Sequence, residues 1–175
     1  MNAKFKADYK RIIRKDWSWV GGWLRLLKNH NLRTSYYGRK AVSSGILKKY
    51  YRFKMYKIAN KYGIEIDYSN IGDGIALIHA YNITVNPKAE IGKDATLFKG
   101  VTIGSIRSGK KAGVPTIGDR VTFCTNAFVC GNITIGNDVL IAANTYVNFD
   151  VPDNSIVIGN PGIIKSKKNP SKDYL

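Results

Sequence analysis

The chain has 175 residues, 44% of them hydrophobic, and a formal net charge of +16. This is enough apolar material to bury a core, which excludes a disordered polyelectrolyte, and the length suits one domain with an appendage. No apolar run reaches the roughly 18 residues of a membrane span, the charged start lacks the apolar stretch of a secretory signal, and two cysteines make no disulfide framework. The expected location is the cytoplasm, with peripheral membrane association left open.

The charge is unevenly placed. Residues 1–60 hold sixteen Lys or Arg against Asp8 and Asp16, a net of +14, whereas residues 61–160 are nearly neutral at −1. A basic block of this kind suits either an anionic partner or a solvated helical face. It matches no nucleic-acid-binding motif, so nucleic acid is not expected as a partner.

In chain order, residues 1–62 read as a basic α-helical segment. Lys4 to Lys15 is a short basic stretch. Trp17, Val20, Leu24 and Leu27 then recur at helical steps, with Trp19, Trp23 and Leu26 alongside. The tryptophans are expected to pack against the rest of the chain or a second subunit; the alternative is a membrane interface, which basic residues with aromatic anchors also suit. Asn29 to Arg33 reads as a turn, His30 within it as a solvated loop residue, and a longer helix is predicted from about Gly38 to Asn60. Gly63 closes that helix.

From residue 63 to 165 the period changes to six. The runs are Ile71, Leu77, Ile83; then Val85, Ile91, Leu97, Ile103; then Ile117, Phe123, Val129, Ile135, Ile141, Val147. Four residues after each member of the last run stand Val121, Ala127, Ile133, Val139, Thr145 and Val151. A hexapeptide repeat predicts a parallel β-helix, three hexapeptides to a triangular coil, with the large aliphatic residue inward and a small residue turning the corner. The phase slips by two between Ile83 and Val85 and by about eight between Ile103 and Ile117, which predicts a loop bulging out at about 105–116. Residues 166–175 read as a basic tail.

His79 is the third residue of the Leu77 hexapeptide and is expected to face outward. An exposed histidine on a rigid scaffold suits a general base, because imidazoles titrate near neutral pH. Cys124 and Cys130 lie one hexapeptide apart on successive faces and read as small turn residues, with no metal-ligand spacing around them.

Three segments, IGDGIALIHAYNITVNPKAEIG, GVTIGSIRSGKKAGVPTIGD and VPDNSIVIGNPG, resemble the hexapeptide-repeat acyltransferases, in particular the serine acetyltransferases and the O-acetyltransferases of capsule and exopolysaccharide synthesis. The resemblance spans about Ile71 to Lys165. It implies a mainly β protein, a left-handed parallel β-helix with a short N-terminal α-helical segment, assembled as a homotrimer with active sites between subunits. It implies acetyl-CoA as co-substrate, no metal, and His79 as the base that takes a proton from an acceptor hydroxyl. Backbone donors at Gly104 and Ser105 are the expected oxyanion site. Ala127, Ala142 and Ala143 match positions beside the pantetheine arm; Asn160, Pro161 and Ile163 match the region near the nucleotide; Lys165, Lys167 and Lys168 suit its phosphates.

Two departures bear on the acceptor. The family's serine-specific members carry an acidic residue before the histidine, where this chain has Ile78. They carry a second histidine in the inserted loop, where this chain reads Ala112-Gly113-Val114-Pro115. Asp67 resembles an upstream family aspartate but stands closer in sequence to His79. The expected reaction is therefore O-acetylation of a sugar or polysaccharide-precursor hydroxyl. L-serine is the alternative acceptor, and a non-enzymatic β-helix scaffold binding membrane or an anionic polymer through residues 1–60 is the reading of a different class.

Overall fold

A computed structural model describes residues 2–174; Met1 and Leu175, the outer ends of the expected helical segment and basic tail, lie outside the described residues. The described residues form four α-helices, α1 (Ala3–Ile13), α2 (Trp19–Lys28), α3 (His30–Ser43) and α4 (Lys48–Tyr62), followed by short strands wound into a parallel β-helix and a terminal 3-10 turn at Lys172–Tyr174.

The coil has three faces. One is a five-stranded sheet of Ile64–Glu65, Ile83–Val85, Thr102–Gly104, Phe128–Cys130 and Tyr146–Val147. The second is built from Glu90–Ile91, Thr116–Ile117 and Thr134–Ile135. The third stacks Ala76–Ile78, Thr96–Phe98, Thr122–Phe123, Val139–Ile141 and Ser155–Ile158, and ends on Ile163–Ser166, which pairs antiparallel.

The register carries the hexapeptide arithmetic. Phe123 pairs with Ile141, and Val129 with Val147, each three hexapeptides on. Leu77 pairs with Leu97, two residues more, and Leu97 with Phe123, eight more. The longer surplus sits where the phase slips, but the two-residue one is corrected: Ile83 and Val85 share one strand, and the extra residues lie in the corner at 79–82, because Ile78 pairs with Phe98 and Thr84 with Thr102. The longer insertion folds back on itself: Ile106 and Gly113 exchange backbone hydrogen bonds of 3.0 and 2.9 Å.

All the inward residues of the three runs are buried, with Leu77, Leu97, Ile103, Phe123 and Ile141 fully so. Corners tolerate little bulk: a Cβ on Gly92 would meet the Gly118 backbone at 2.6 Å. Burial of this continuous aliphatic column is the main stabilising term, about 1.5–3 kcal/mol for each large side chain removed from water.

The helical segment docks on the first coil through a buried ion pair. Arg39 of α3 donates two hydrogen bonds to Asp8 of α1, at 2.9 and 3.0 Å, and reaches the carbonyls of Ile71 and Gly72. Asp8 also accepts the amides of Gly74 and Ile75. Burial pushes the Asp8 carboxyl up, against the Arg39 guanidinium and these amides, which pull it down.

Three expectations for this segment are corrected. Residues 29–33 are not a turn, because the Asn29 side chain caps α3 by accepting from the amides of Asn31 and Leu32. One long helix from Gly38 is replaced by two, with α3 ending at Ser43 and α4 starting at Lys48. The stripe of Val20, Leu24 and Leu27 is not the packed face of α2: these residues are exposed, while Gly22 and Leu26 are buried. The reason lies at Gly22, where the Trp17 ring packs so close that a Cβ would meet it at 2.7 Å. Trp17 packs edge-on against Phe5 and Tyr9, and Trp23 against Trp17 and Tyr36, but Trp19 faces out.

The tail folds back on the coil. Pro170 and Ser171 are buried, Ser171 Oγ donates to Asp138, and Tyr174 packs edge-on against Phe98.

Candidate functional site

His79 leaves the strand Ala76–Ile78 at the corner between the six- and five-stranded sheets. Its side chain is exposed, as the hexapeptide register predicts, and its backbone is left-handed at φ 49°. Such a conformation is costly for a non-glycine residue and persists only where the surroundings enforce it. Here two successive residues at the start of α3 do so. Asn31 Oδ1 accepts the Ala80 amide at 3.3 Å, and His30 Nε2 donates to the Ala80 carbonyl at 3.0 Å. The His30 ring stacks on Tyr62, 4.6 Å between centroids and 18° apart, with Tyr81 at 5.0 Å. His30 is thus no solvated loop residue. Its pairing with the His79 turn carries no spacing signal, because 50 residues separate His30 from Ala80.

The corner continues as a ladder along the prism. Gly100 N–H donates to the Tyr81 carbonyl, Asn126 N–H to Lys99, and Asn144 N–H to Thr125, at 2.9 to 3.0 Å. Gly159 N–H then donates to Thr145 Oγ1 at 3.1 Å. His79 and Asn160 therefore stand on one edge, four coils apart, which at about 4.8 Å per coil is about 20 Å. Near the Asn160 end lies an open cavity of about 440 Å³ lined by Asn126, Phe128, Asn144, Thr145, Tyr146 and Asn160. The Asn126 and Asn144 side chains are hydrogen-bonded to each other at 3.2 Å, and the exposed Phe128 ring packs against Tyr146. An extended arm bearing amide groups would find donors, acceptors and an aromatic surface here. The hexapeptide pattern gives no sign of Asn126, Phe128, Asn144 or Tyr146, since outward positions vary freely in it.

The other expected site residues divide. Ala142 is half-buried and Ala143 exposed on the same edge, directly before Asn144, and Pro161 and Ile163 are exposed at its end. Ala127 is corrected: it is fully buried inside the coil, and its amide and carbonyl are taken by Cys124 and Thr102, so it offers nothing to a ligand. The three lysines are also separated. Lys165 pairs opposite Ile156 in mid-strand, while Lys167 N–H bonds Asn154 at the far edge of the same sheet, so Lys167 and Lys168 run away from Asn160. Gly104 and Ser105, the expected oxyanion donors of a site between subunits, do not meet His79 within one chain. They lie where the strand Thr102–Gly104 ends, across a whole face of the prism from the His79 edge.

Asp67 is exposed and spends its carboxylate on the amide and hydroxyl of Ser69. Burial pushes the Cys124 thiol up, and Cys130 is buried beside the Tyr146 hydroxyl. Among the described residues, no cluster of His, Cys, Asp and Glu could hold a metal ion.

No family model matches the chain. It is similar to the serine acetyltransferase of Mycobacterium tuberculosis, 40% identical over 103 residues, covering 58% of this chain and 44% of that one. It is also similar to the serine acetyltransferase of Staphylococcus xylosus, 36% identical over 143 residues, covering 75% of this chain and 65% of that one. The chain spans about half the length of the first curated relatives it matches. Among solved structures, it superposes on Neisseria gonorrhoeae serine acetyltransferase in complex with serine with a TM-score of 0.76 at 28% identity, covering 93% of this chain and 68% of that one. The soybean serine acetyltransferase complexed with serine gives 0.73 at 28% identity, covering 91% and 67%. The likeness includes the helices, since it extends over nearly the whole chain. These relatives are serine acetyltransferases; the expected closeness to the enzymes of capsule or polysaccharide synthesis gains no support from them.

Proposed function

We propose that the protein is an acetyl-CoA-dependent O-acetyltransferase, and that its acceptor is L-serine. The single observation that carries the reaction is the edge on which His79 and the Asn126–Asn144–Asn160 groove share one continuous ladder. The similarity to serine acetyltransferases over sequence and fold supports serine over the sugar acceptor that the motifs alone suggested.

In this reading His79 accepts the proton of the acceptor hydroxyl as its oxygen attacks the thioester carbonyl. The C–O bond forms, the C–S bond breaks, and the imidazolium returns the proton to the departing thiolate. Positioned proton transfer of this kind contributes about 10²- to 10⁴-fold. His30 and Asn31 act as positioning residues by fixing the turn that carries His79. The pantetheine arm lies along the edge past Ala142 and Ala143, and its nucleotide end lies near Asn160, Pro161, Ile163 and Lys165.

The left hand of the β-helix and assembly as a homotrimer belong to the same proposal. The separation of Gly104 and Ser105 from His79 within one chain supports a site completed by a neighbouring subunit.

A sugar hydroxyl remains the second reading, favoured by Ile78. An apolar residue beside the base, with Ala112 to Pro115 in the loop, leaves no carboxylate or imidazole at these two places to hold the ammonium and carboxylate of an amino acid. The test is thiol release from acetyl-CoA with serine and with a panel of sugars, for the wild type and His79→Ala. Release with serine that disappears in the variant supports the first reading, and release with sugars alone supports the second. Turnover unchanged in His79→Ala sinks both.

A further inference from the structure

The geometry points to the outward face of α2 as a docking surface for an anionic lipid bilayer. Trp19 is 72% exposed, Val20 76%, Leu24 54% and Leu27 68%, with Trp23 at their edge. Helical spacing puts all five on one side of a ten-residue helix. Few soluble surfaces leave so large an apolar group of side chains in water without a partner.

Charge selects the occupant. Between Asp16 and Glu65 the chain has no acidic residue and eleven Lys or Arg. A two-fold contact of this segment with its own copy would bring like charges together with no carboxylate to pair across it. Nucleic acid would satisfy the cations, but its phosphate backbone would leave the Trp19, Val20, Leu24 and Leu27 side chains wet. An anionic bilayer satisfies both: the apolar side chains enter the acyl boundary while the cations stay at the headgroups, each contributing about 1 kcal/mol near the surface.

A cavity of about 680 Å³ opens beside this face, lined by Ile13, Leu24, Arg25, Lys28, His30 and Asn31. Arg25 and Lys28 set its charge, which suits a headgroup phosphate. Because His30 and Asn31 also hold Ala80, a docked bilayer lies beside the corner that carries His79. α4 repeats the chemistry, with Lys54 over the exposed Tyr50 ring at 5.1 Å and Lys57 over the exposed Phe53 ring at 4.9 Å. The contact is independent of which acceptor is acetylated.

The full chain is mixed with vesicles of phosphatidylcholine alone and of phosphatidylcholine with phosphatidylglycerol, and bound protein is measured by flotation. Binding to the phosphatidylglycerol vesicles is expected, with a blue shift of tryptophan emission. The double substitution Trp19→Ser with Leu24→Ser is expected to weaken binding about a hundredfold, and Lys28→Glu about tenfold, each with an unchanged melting temperature. Absence of binding to the anionic vesicles overturns the proposal, as does equal binding by the double variant. So does a larger assembly of the wild type that the same double variant dissolves, which would assign the face to a second copy.

Discussion

The coils and the helices of this protein use apolar residues in opposite ways. In the β-helix Leu77, Leu97, Phe123, Ile141 and Val157 stack in a single fully buried column. In the helices Trp19, Val20 and Leu27 stand in water, and burial falls on the polar Asp8, Thr34, Ser35 and Arg39 as well as on a small cluster of Phe5, Tyr9, Leu26 and Leu32. The difference teaches where stability comes from. A coil is held by repetition, each residue packing on its equivalent, so hydrophobicity and burial coincide. The helical segment combines a small aromatic cluster with a polar hub against the first coil, so there the two partly diverge.

The largest expected effect tests whether the corner between the two regions is the site. His79→Ala should lower acetyl-CoA turnover by about 10²- to 10⁴-fold while leaving the melting temperature within a degree or two, read by thiol release and thermal unfolding. A comparable loss of folding would mean that the turn is structural. Next comes the hub. Arg39→Ala leaves Asp8 buried without its cation and should cost about 3–5 kcal/mol, seen as a lower denaturant midpoint. A shift below about 1 kcal/mol would mean that the helices dock by apolar contact instead.

Within the coil, Leu97→Ala should cost about 2–5 kcal/mol by opening a cavity in the column. Gly92→Ala should cost about 1–3 kcal/mol by forcing a Cβ into the next corner. Trp19→Ser is the sharpest contrast. Although it removes a larger apolar side chain than Leu97→Ala, it should change stability by less than about 0.5 kcal/mol, because the side chain is already in water. Equal losses from Trp19→Ser and Leu97→Ala would erase the distinction between the regions.

His30→Ala should be the smallest effect on rate, about tenfold in kcat with the KM for acetyl-CoA unchanged, because it loosens the turn under His79 without touching the groove. His30→Gln, which keeps a donor for the Ala80 carbonyl, should recover most of that loss. A matching fall for both variants, with KM rising, would assign His30 to binding.

The amino-acid sequence by itself determined the β-helix: its coils, the longer insertion, the inward column and the outward direction of His79. The reason is that each hexapeptide repeats the same local geometry, so a period measured along the chain fixes the position in space. It also marked Gly63 as the end of the last helix, through the left-handed turn that glycine adopts there at φ 65°. Tertiary structure alone decided which face of α2 is buried, since helical spacing offered two apolar faces and the Trp17–Gly22 contact chose between them. It alone paired Asp8 with Arg39, brought His30 under a turn 50 residues away, and separated Lys167 and Lys168 from Asn160. These outcomes rest on single contacts between distant segments, and a contact that occurs once leaves no period in the sequence.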